Sequence, residues 1–334
     1  MGGVVRRLAV VLCIFGAEVH AQEFAREISQ FVGSNARPFL QPLVDAAQAN
    51  IHAGVFSAVP ATDGLHVGLQ FSAMFIPVPD DRKSFKPEPF SKTVEFTYLG
   101  QQFLGDLDIA PSSFPTAVGL SKRYTFSGRL RRIRPKGLPY TGQFDFVQQN
   151  ATVTVGGYED VSTVVLVVPQ VTIGSWYGAQ LLIRYLPTIG VPDVGDVGAF
   201  GAGLKLSMSR YVSLPVEIDA QFMYQTLTLS ADDKEYAVDS DLSSIAAQVF
   251  VSRTLPLGIV RFTPYAALGV ESGTVNVNYV FADPYVGNQR LTFESAARVR
   301  FVAGLSAKVW HVRLNADYNI ASMNGFSLGL GAEF

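Results

Sequence analysis

The stretch FGAGLKLSMSRYVSLPVEIDAQFMYQ, Phe200–Gln225, holds two runs in which apolar residues take every second position. Phe200, Ala202, Leu204, Leu206 and Met208 alternate with Gly201, Gly203, Lys205, Ser207 and Ser209. After a break, Leu214, Val216, Ile218, Ala220, Phe222 and Tyr224 alternate with Pro215, Glu217, Asp219, Gln221, Met223 and Gln225. A period of two marks a strand with unlike faces. The polar face carries charge in mid-strand, at Lys205, Glu217 and Asp219, so it needs water or an ion partner. The opposite face is apolar over a length that suits a bilayer crossing, for which about 9 to 11 tilted residues suffice.

The same pattern extends along most of the chain. Val67, Leu69, Phe71, Ala73 and Phe75 alternate with polar or small residues, and the final GFSLGLGAEF places Phe326, Leu328, Leu330, Ala332 and Phe334 on one face. Within Leu291–Val309 the polar positions include Glu294, Arg298, Arg300 and Lys308; within Val312–Ile320 they are Arg313, Asn315, Asp317 and Asn319. Ten long strands are predicted, near 66–76, 163–174, 178–187, 198–210, 214–229, 243–254, 259–279, 289–308, 311–320 and 325–334. Short connections follow the second, fourth, sixth and eighth strands, and longer ones (77–162, 188–197, 230–242, 280–288) follow the first, third, fifth and seventh. That asymmetry is the loop pattern of outer-membrane barrels, with turns on the periplasmic side. Trp176, Tyr177, Tyr211 and Trp310 cluster at the short turns, where an interfacial aromatic girdle belongs. The expected fold is all-β, a transmembrane antiparallel up-and-down β-barrel of about ten strands preceded by a short helical segment. Alternating pieces inside 77–162 (Val94, Phe96, Tyr98; Tyr124, Phe126) leave open either a β-rich extracellular cap or two further wall strands, making twelve. A soluble sandwich or lipocalin-like barrel also accommodates the alternation; strand length and loop asymmetry favour the membrane form.

Composition agrees. The 334 residues are 48% hydrophobic and 16% charged, with a mean hydropathy of +0.23. A formal net charge of -2 gives no global attraction to nucleic acid. Arg6 and Arg7 precede an apolar run, Leu8–Gly16, and Val19-His20-Ala21 offers a cleavage position, so 1–21 is expected to be a secretory signal peptide. The single cysteine, Cys13, falls inside it, which leaves the exported chain without thiol chemistry. No stretch of about 18 consecutive apolar residues appears, so no transmembrane helix is expected. Residues 22–63 carry helical periodicity (Phe24, Ile28, Phe31, Val32; then Phe39, Leu40, Leu43, Val44, Ala47), broken at Gly33-Ser34-Asn35. Two short helices acting as a plug or a periplasmic cap are expected there, with the barrel occupying 64–334.

RPFLQPLVDAAQANIHAGVFSAV, the run from Leu181 to Tyr224 with Arg184-Tyr185-Leu186-Pro187, Gly201–Leu206 and Leu214-Pro215-Val216 in order, and the terminal strand together resemble an uncharacterised family of bacterial outer-membrane β-barrel proteins found largely in Bacteroidota and related lineages. The resemblance implies an outer-membrane location and a barrel, without an established activity. A weaker resemblance is to the long-chain fatty-acid transporter family, which also pairs an N-terminal plug with a barrel, although the strand count here is low for it. A closing strand ending in an aromatic residue resembles the signal read by the barrel assembly machinery, and Phe334 would carry it.

Chemistry-bearing motifs are sparse. His311 with Ser306 is the one Ser–His combination worth testing for a lipid enzyme, but His311 sits at an expected turn and no enzyme is expected. GDVGAFGAG, Gly195–Gly203, has the glycines of a phosphate loop without a following helix. ADDKEYAVDSDL, Ala231–Leu242, offers oxygen ligands without the spacing of a calcium loop. No metal or cofactor is expected. RLRRIRPK, with Arg129, Arg131, Arg132 and Arg134, lies in the long first loop, where arginine forks would suit lipopolysaccharide phosphates. The expected lumen lining is Lys205, Glu217, Asp219, Gln221, Arg261, Glu271, Glu294, Arg298, Arg300, Lys308, Arg313 and Asp317, both signs facing one narrow interior. The favoured function is a narrow or gated passage for a small or hydrophobic solute of unknown identity; a non-transporting structural or adhesion barrel is the alternative. Outer-membrane lipid and lipopolysaccharide, with the assembly machinery, are the expected partners.

Overall fold

The computed structural model describes residues 35–56, 65–98, 101–119, 124–136, 148–155, 162–191, 195–212, 214–232, 236–281 and 289–334. The expected signal peptide and the first of the two expected helices lie outside them. In chain order the elements are α1 (Ala36–Ile51), β1 (His66–Pro77), β2 (Ser84–Phe85), β3 (Phe90–Tyr98), β4 (Gln101–Ile109), β5 (Phe114–Pro115), β6 (Tyr124–Pro135), β7 (Gln148–Val155), β8 (Thr163–Trp176), β9 (Ala179–Val191), β10 (Gly195–Ser207), β11 (Glu217–Asp232), β12 (Tyr236–Ser252), β13 (Leu255–Leu257), β14 (Val260–Phe281), β15 (Gln289–Val309), β16 (Val312–Ile320) and β17 (Gly325–Glu333).

Ten of these strands form a closed antiparallel ring: β1, β8 to β12, and β14 to β17. β12 pairs with β14 from Ser252↔Tyr265 to Tyr236↔Phe281, and β17 pairs with β1 from Gly68↔Glu333 to Phe75↔Phe326, so the ring has no free edge. The strands of 77–162 do not join the wall. β3, β4, β6 and β7 make a separate four-stranded sheet and β2 pairs with β5, which removes the twelve-strand alternative. They belong to a second compact unit, Arg26–Pro42 with Pro79–Val161, whose described part buries Phe39, Leu107, Ile109 and Phe114. Within that unit Asn35 and Glu88 exchange two hydrogen bonds, Nδ2 to the carbonyl at 2.9 Å and N–H to Oδ1 at 2.8 Å.

On the barrel, the outward face near the short turns is apolar and exposed: Leu204, Leu206, Phe222, Val249, Leu268, Val270, Phe301, Leu314 and Leu330 all belong to it. On β14 this belt runs from Val260 to Val270, eleven residues, the length that about 9 to 11 tilted residues need to cross a bilayer. Water would not hold such a ring; lipid would. Beyond the belt the strands continue and their outward residues turn polar, as at Asp241 and Glu294. The connections at 188–197 and 230–242 are therefore shorter than the alternation predicts, because β9 to β12 project past the apolar zone. β11 starts at Glu217, so Leu214–Val216 precede it, and Asp239 and Asp241 sit on β12, not in a loop. Gly195–Gly203 is the first part of β10, a wall strand and not a phosphate loop.

One predicted position has the wrong side. Between β14 and β15, Glu271 faces Arg298 but Gly273 faces Ser295, so β15 carries one extra residue and its alternation flips. Phe293 is buried in consequence, and Glu294 is exposed on the outside, above the belt.

Candidate functional site

The barrel interior is filled by the chain's own segment 43–56. α1 follows from the helical spacing of Phe39, Leu40 and Val44, but its later turns and the residue after them bury polar side chains too: Asp45, Gln48, Asn50 and His52 are all at most 5% exposed. A helix buried on every side would normally be apolar all round. This one lies against a polar wall.

The last carbonyls of a helix have no partner within it. Here the wall supplies them. Arg300 donates through Nη2 to the Ala49 carbonyl at 2.8 Å, and Arg184 donates through Nη1 and Nη2 to the carbonyls of Ile51 and Ala53, each at 3.0 Å. Cations at a helix C-terminus also complement its dipole. Arg298 pairs with Asp45 at 3.0 Å, and Asn50 donates to the Val164 carbonyl at 3.0 Å. Below the helix, Gly54 takes φ +61°, and a Cβ there would come 3.1 Å from the Ser72 Cβ and 3.3 Å from that of Ser327. Only glycine meets both the backbone angle and the close approach. Phe56 then stacks on Tyr265 with ring centroids 3.6 Å apart, beside Phe250, with Lys205 Nζ 5.6 Å from the centroid.

His52 is wholly enclosed. Ser244 Oγ already donates to the Ser272 carbonyl at 2.7 Å, so the 2.6 Å contact requires His52 Nε2–H to donate to Ser244. Gln225 gives its carbonyl oxygen to Arg184 at 3.2 Å, which turns its NH2 toward His52 Nδ1 at 2.9 Å. The network therefore fits the neutral ring. Burial first, then the Arg300 and Arg184 charges, hold its pKa well below the ordinary value of 6.5.

The segment has a direction. Asp45 meets Arg298, Ala49 meets Arg300, and Phe56 joins Val302 and Tyr265. β15 descends toward the short turns in that order, so the segment enters the lumen from the end bearing the longer connections and runs toward the turn end, where β1 begins.

Nearer the turns, charges pair across the wall. Lys205 and Asp219 lie 2.8 Å apart, and Glu333 Oε2 receives both Lys308 and Arg313 at 2.7 Å. Farther from the turns, Glu271 holds Arg300 at 2.6 Å, and Asp317 accepts from the Tyr265 hydroxyl at 2.9 Å and from Asn319 at 2.6 Å. Gln221 is buried opposite Gln248. Nine of the twelve expected lumen residues thus face the interior. Glu217 and Arg261 share the lumen parity but are exposed, because each stands at its strand's turn end, at the rim; Glu294 faces outward, as above.

Tyr177, Tyr211 and Trp310 are exposed at the turns, where Tyr211 donates to the Tyr177 carbonyl at 2.6 Å; the Trp176 side chain lies outside the described set. Phe334 exchanges backbone hydrogen bonds with Val67 at 2.9 and 3.0 Å and stacks on the His311 ring. His311 contacts the Glu333 carbonyl at 2.9 Å, whereas Ser306 is buried on the lumen face, so the two do not assemble a catalytic pair. Arg129, Arg131, Arg132 and Arg134 sit on β6, a sheet strand and not a loop, with Arg129 opposite Asp108 and Arg131 opposite Asp106. Among the described residues no group of three His, Cys, Asp or Glu could hold a metal.

Arg184, Gln170 and His52 are absent from the expected lining. A signal for Arg184 exists: Gln180, Leu182 and Arg184 alternate with Leu181, Ile183 and Tyr185, which puts Arg184 inward. Gly201 confirms the crowding there, since a Cβ would come within 3.3 Å of the Arg184 Cβ. His52 has no local signal.

A profile described as a family of unknown function (DUF6588) matches residues 4–334. No curated protein matches. Among solved structures, the chain is similar to the translocator domain of autotransporter NalP from Neisseria meningitidis, at 12% identity over 88% of this chain and 93% of that one, TM-score 0.29. The β domain of the Bordetella autotransporter BrkA gives 12% identity over 81% and 99%, TM-score 0.28. The outer-membrane channel DcaP of Acinetobacter baumannii gives 13% identity over 84% and 100%, TM-score 0.17.

Proposed function

The chain belongs to the DUF6588 family of unknown function, and from its occupied, charge-lined lumen we propose that it is an outer-membrane barrel that gates passage of a small solute, with residues 43–56 as the gate. The observation that carries this reading is the kind of bond that holds the segment. Arg184, Arg298 and Arg300 hold it by hydrogen bonds to carbonyls and one carboxylate, not through a continuous apolar core. Water can replace each such bond, so their net worth is modest: about 1.5–3 kcal/mol apiece for the buried Arg184 and Arg300 bonds, and less for the half-exposed Arg298 pair. Together they keep the lumen closed at rest without making the closure permanent. Apolar packing at Phe56 and Ala53 adds to the closed state.

The exposed apolar belt on a closed ring supports placement in a membrane, and barrels of this kind belong to outer membranes. The signal-peptide reading of 1–21 accounts for export, and Phe334, paired to β1 at the turn end, is the residue proposed for recognition by the assembly machinery. Lipid and lipopolysaccharide are the proposed surroundings.

Reconstituted in planar bilayers at neutral pH, the protein is expected to show brief, rare openings, and the double variant Arg184→Gln, Arg300→Gln to raise their frequency at least tenfold. Native and variant protein that both stay silent to ions and solutes would defeat the gate.

A further inference from the structure

The two fully buried arginines that hold the gate, Arg184 and Arg300, differ in what remains when it leaves. Arg300 keeps Glu271 at 2.6 Å and Asn319 at 2.9 Å, both on the wall. Arg184, 1% exposed, has no carboxylate among its hydrogen-bond partners in the described residues: it has Gln170 Oε1 at 2.9 Å, Gln225 Oε1, the Met74 sulfur at 4.0 Å, and the Ile51 and Ala53 carbonyls. Two guanidinium N–H groups thus point at a pair of oxygens that belong to the gate. A buried cation whose hydrogen bonds all go to uncharged acceptors favours an anion in their place.

A second observation points the same way. Gln170 is 1% exposed, and because its oxygen accepts from Arg184 Nε, the orientation of the amide is set and its NH2 is the group left over. That Nε2 has no acceptor among the described residues. When His52 leaves with the gate, the Gln225 NH2 is freed as well. Arg184 Nη1 and Nη2, Gln170 Nε2 and Gln225 Nε2 then form a set of donors carrying a single positive charge.

We propose that Arg184, with Gln170 and Gln225, is the binding site for a small solute bearing one carboxylate, and that the Ile51 and Ala53 carbonyls occupy that site while the barrel is closed. Two carboxylate oxygens replace two carbonyl oxygens on the same fork, so the solute and the gate compete, and binding of one favours departure of the other. A single fork with one net charge selects a monoanion over a dianion. The inference rests on residues 43–56 acting as a gate.

The test uses the full-length protein with gluconate and sorbitol, which share a carbon chain length and differ in the carboxylate. Uptake into proteoliposomes is measured alongside calorimetric binding in detergent. Gluconate is expected to exceed sorbitol at least tenfold in uptake, and Arg184→Gln to bring the ratio close to one. Gln170→Glu, which places a carboxylate beside Arg184 without changing size, is expected to do the same, and it adds an ion pair that keeps the fold where loss of the arginine does not. Equal uptake of both solutes, or a ratio unmoved by Gln170→Glu, overturns the site while leaving a gated passage standing. Gluconate that binds in an Arg184-dependent way without crossing supports the site and removes the passage. Neither binding nor uptake overturns both.

Discussion

The two ends of the lumen use the same residue types in opposite ways. Toward the turns, Lys205–Asp219 and Glu333 with Lys308 and Arg313 join one wall strand to another. Higher up, Arg184, Arg298 and Arg300 reach from the wall to the inserted segment. The lower charges stay partnered whatever the segment does. The upper ones join the wall to the segment, so under the proposed gate the lower layer secures the barrel and the upper layer its closure. Opposite charges in a lumen therefore need not mean a sealed pore; which groups they join decides it.

Breaking the lower layer should give the largest effect on the barrel itself. Glu333→Gln leaves two mostly buried cations without their carboxylate, and loss of one partner of a buried pair costs roughly 3–5 kcal/mol. Reversible urea unfolding in detergent should show that loss, with the frequency of openings little changed; a large gating change would collapse the distinction between the layers.

Mild acid should act on the upper layer. The free chain protonates His52 near its ordinary 6.5, whereas the inserted form resists it, because burial and two arginines disfavour the charge. The inserted state is therefore fully favoured above about pH 6.5 and loses about 1.4 kcal/mol for each pH unit below it, until the depressed native value is reached. Openings are expected to rise about fivefold between pH 6.5 and 5.5, because the withdrawn ring is already half charged at the upper value, and His52→Gln, which cannot take the proton, should remove the dependence. A pH response that survives in His52→Gln would assign it to other groups.

The smallest effect is expected at Asp45→Asn. Its partner Arg298 has a side chain 34% exposed, so water screens the pair and the loss should stay near 1 kcal/mol or below. That corresponds to a few-fold rise in opening frequency, and a change as large as that of Arg184→Gln would mean that the pair does more than the geometry shows.

Much of the wall was legible in the alternation of residues such as Leu204, Leu206, Phe222 and Tyr224, since a strand's two faces are set by its own period. The same rule failed at Glu294, where one extra residue on β15 reverses the faces; a bulge depends on how β14 and β15 register and leaves no local mark. It also passed over Arg184, whose parity is clear but whose role comes from a partner 133 residues earlier in the chain. The strand lengths past the belt were underestimated at β9 to β12 because polar outward residues above the bilayer read like loop residues.

The sequence by itself determined a closed, lipid-facing barrel with a charged interior, because alternation over ten strands leaves one apolar surface and one polar one, and only closure satisfies the backbone of such a sheet in lipid. The tertiary structure alone decided what the interior holds. That Arg184 and Arg300 meet the C-terminal carbonyls of α1, and that His52 sits neutral between them, follows from threading 43–56 through the ring, a long-range placement that no local period encodes.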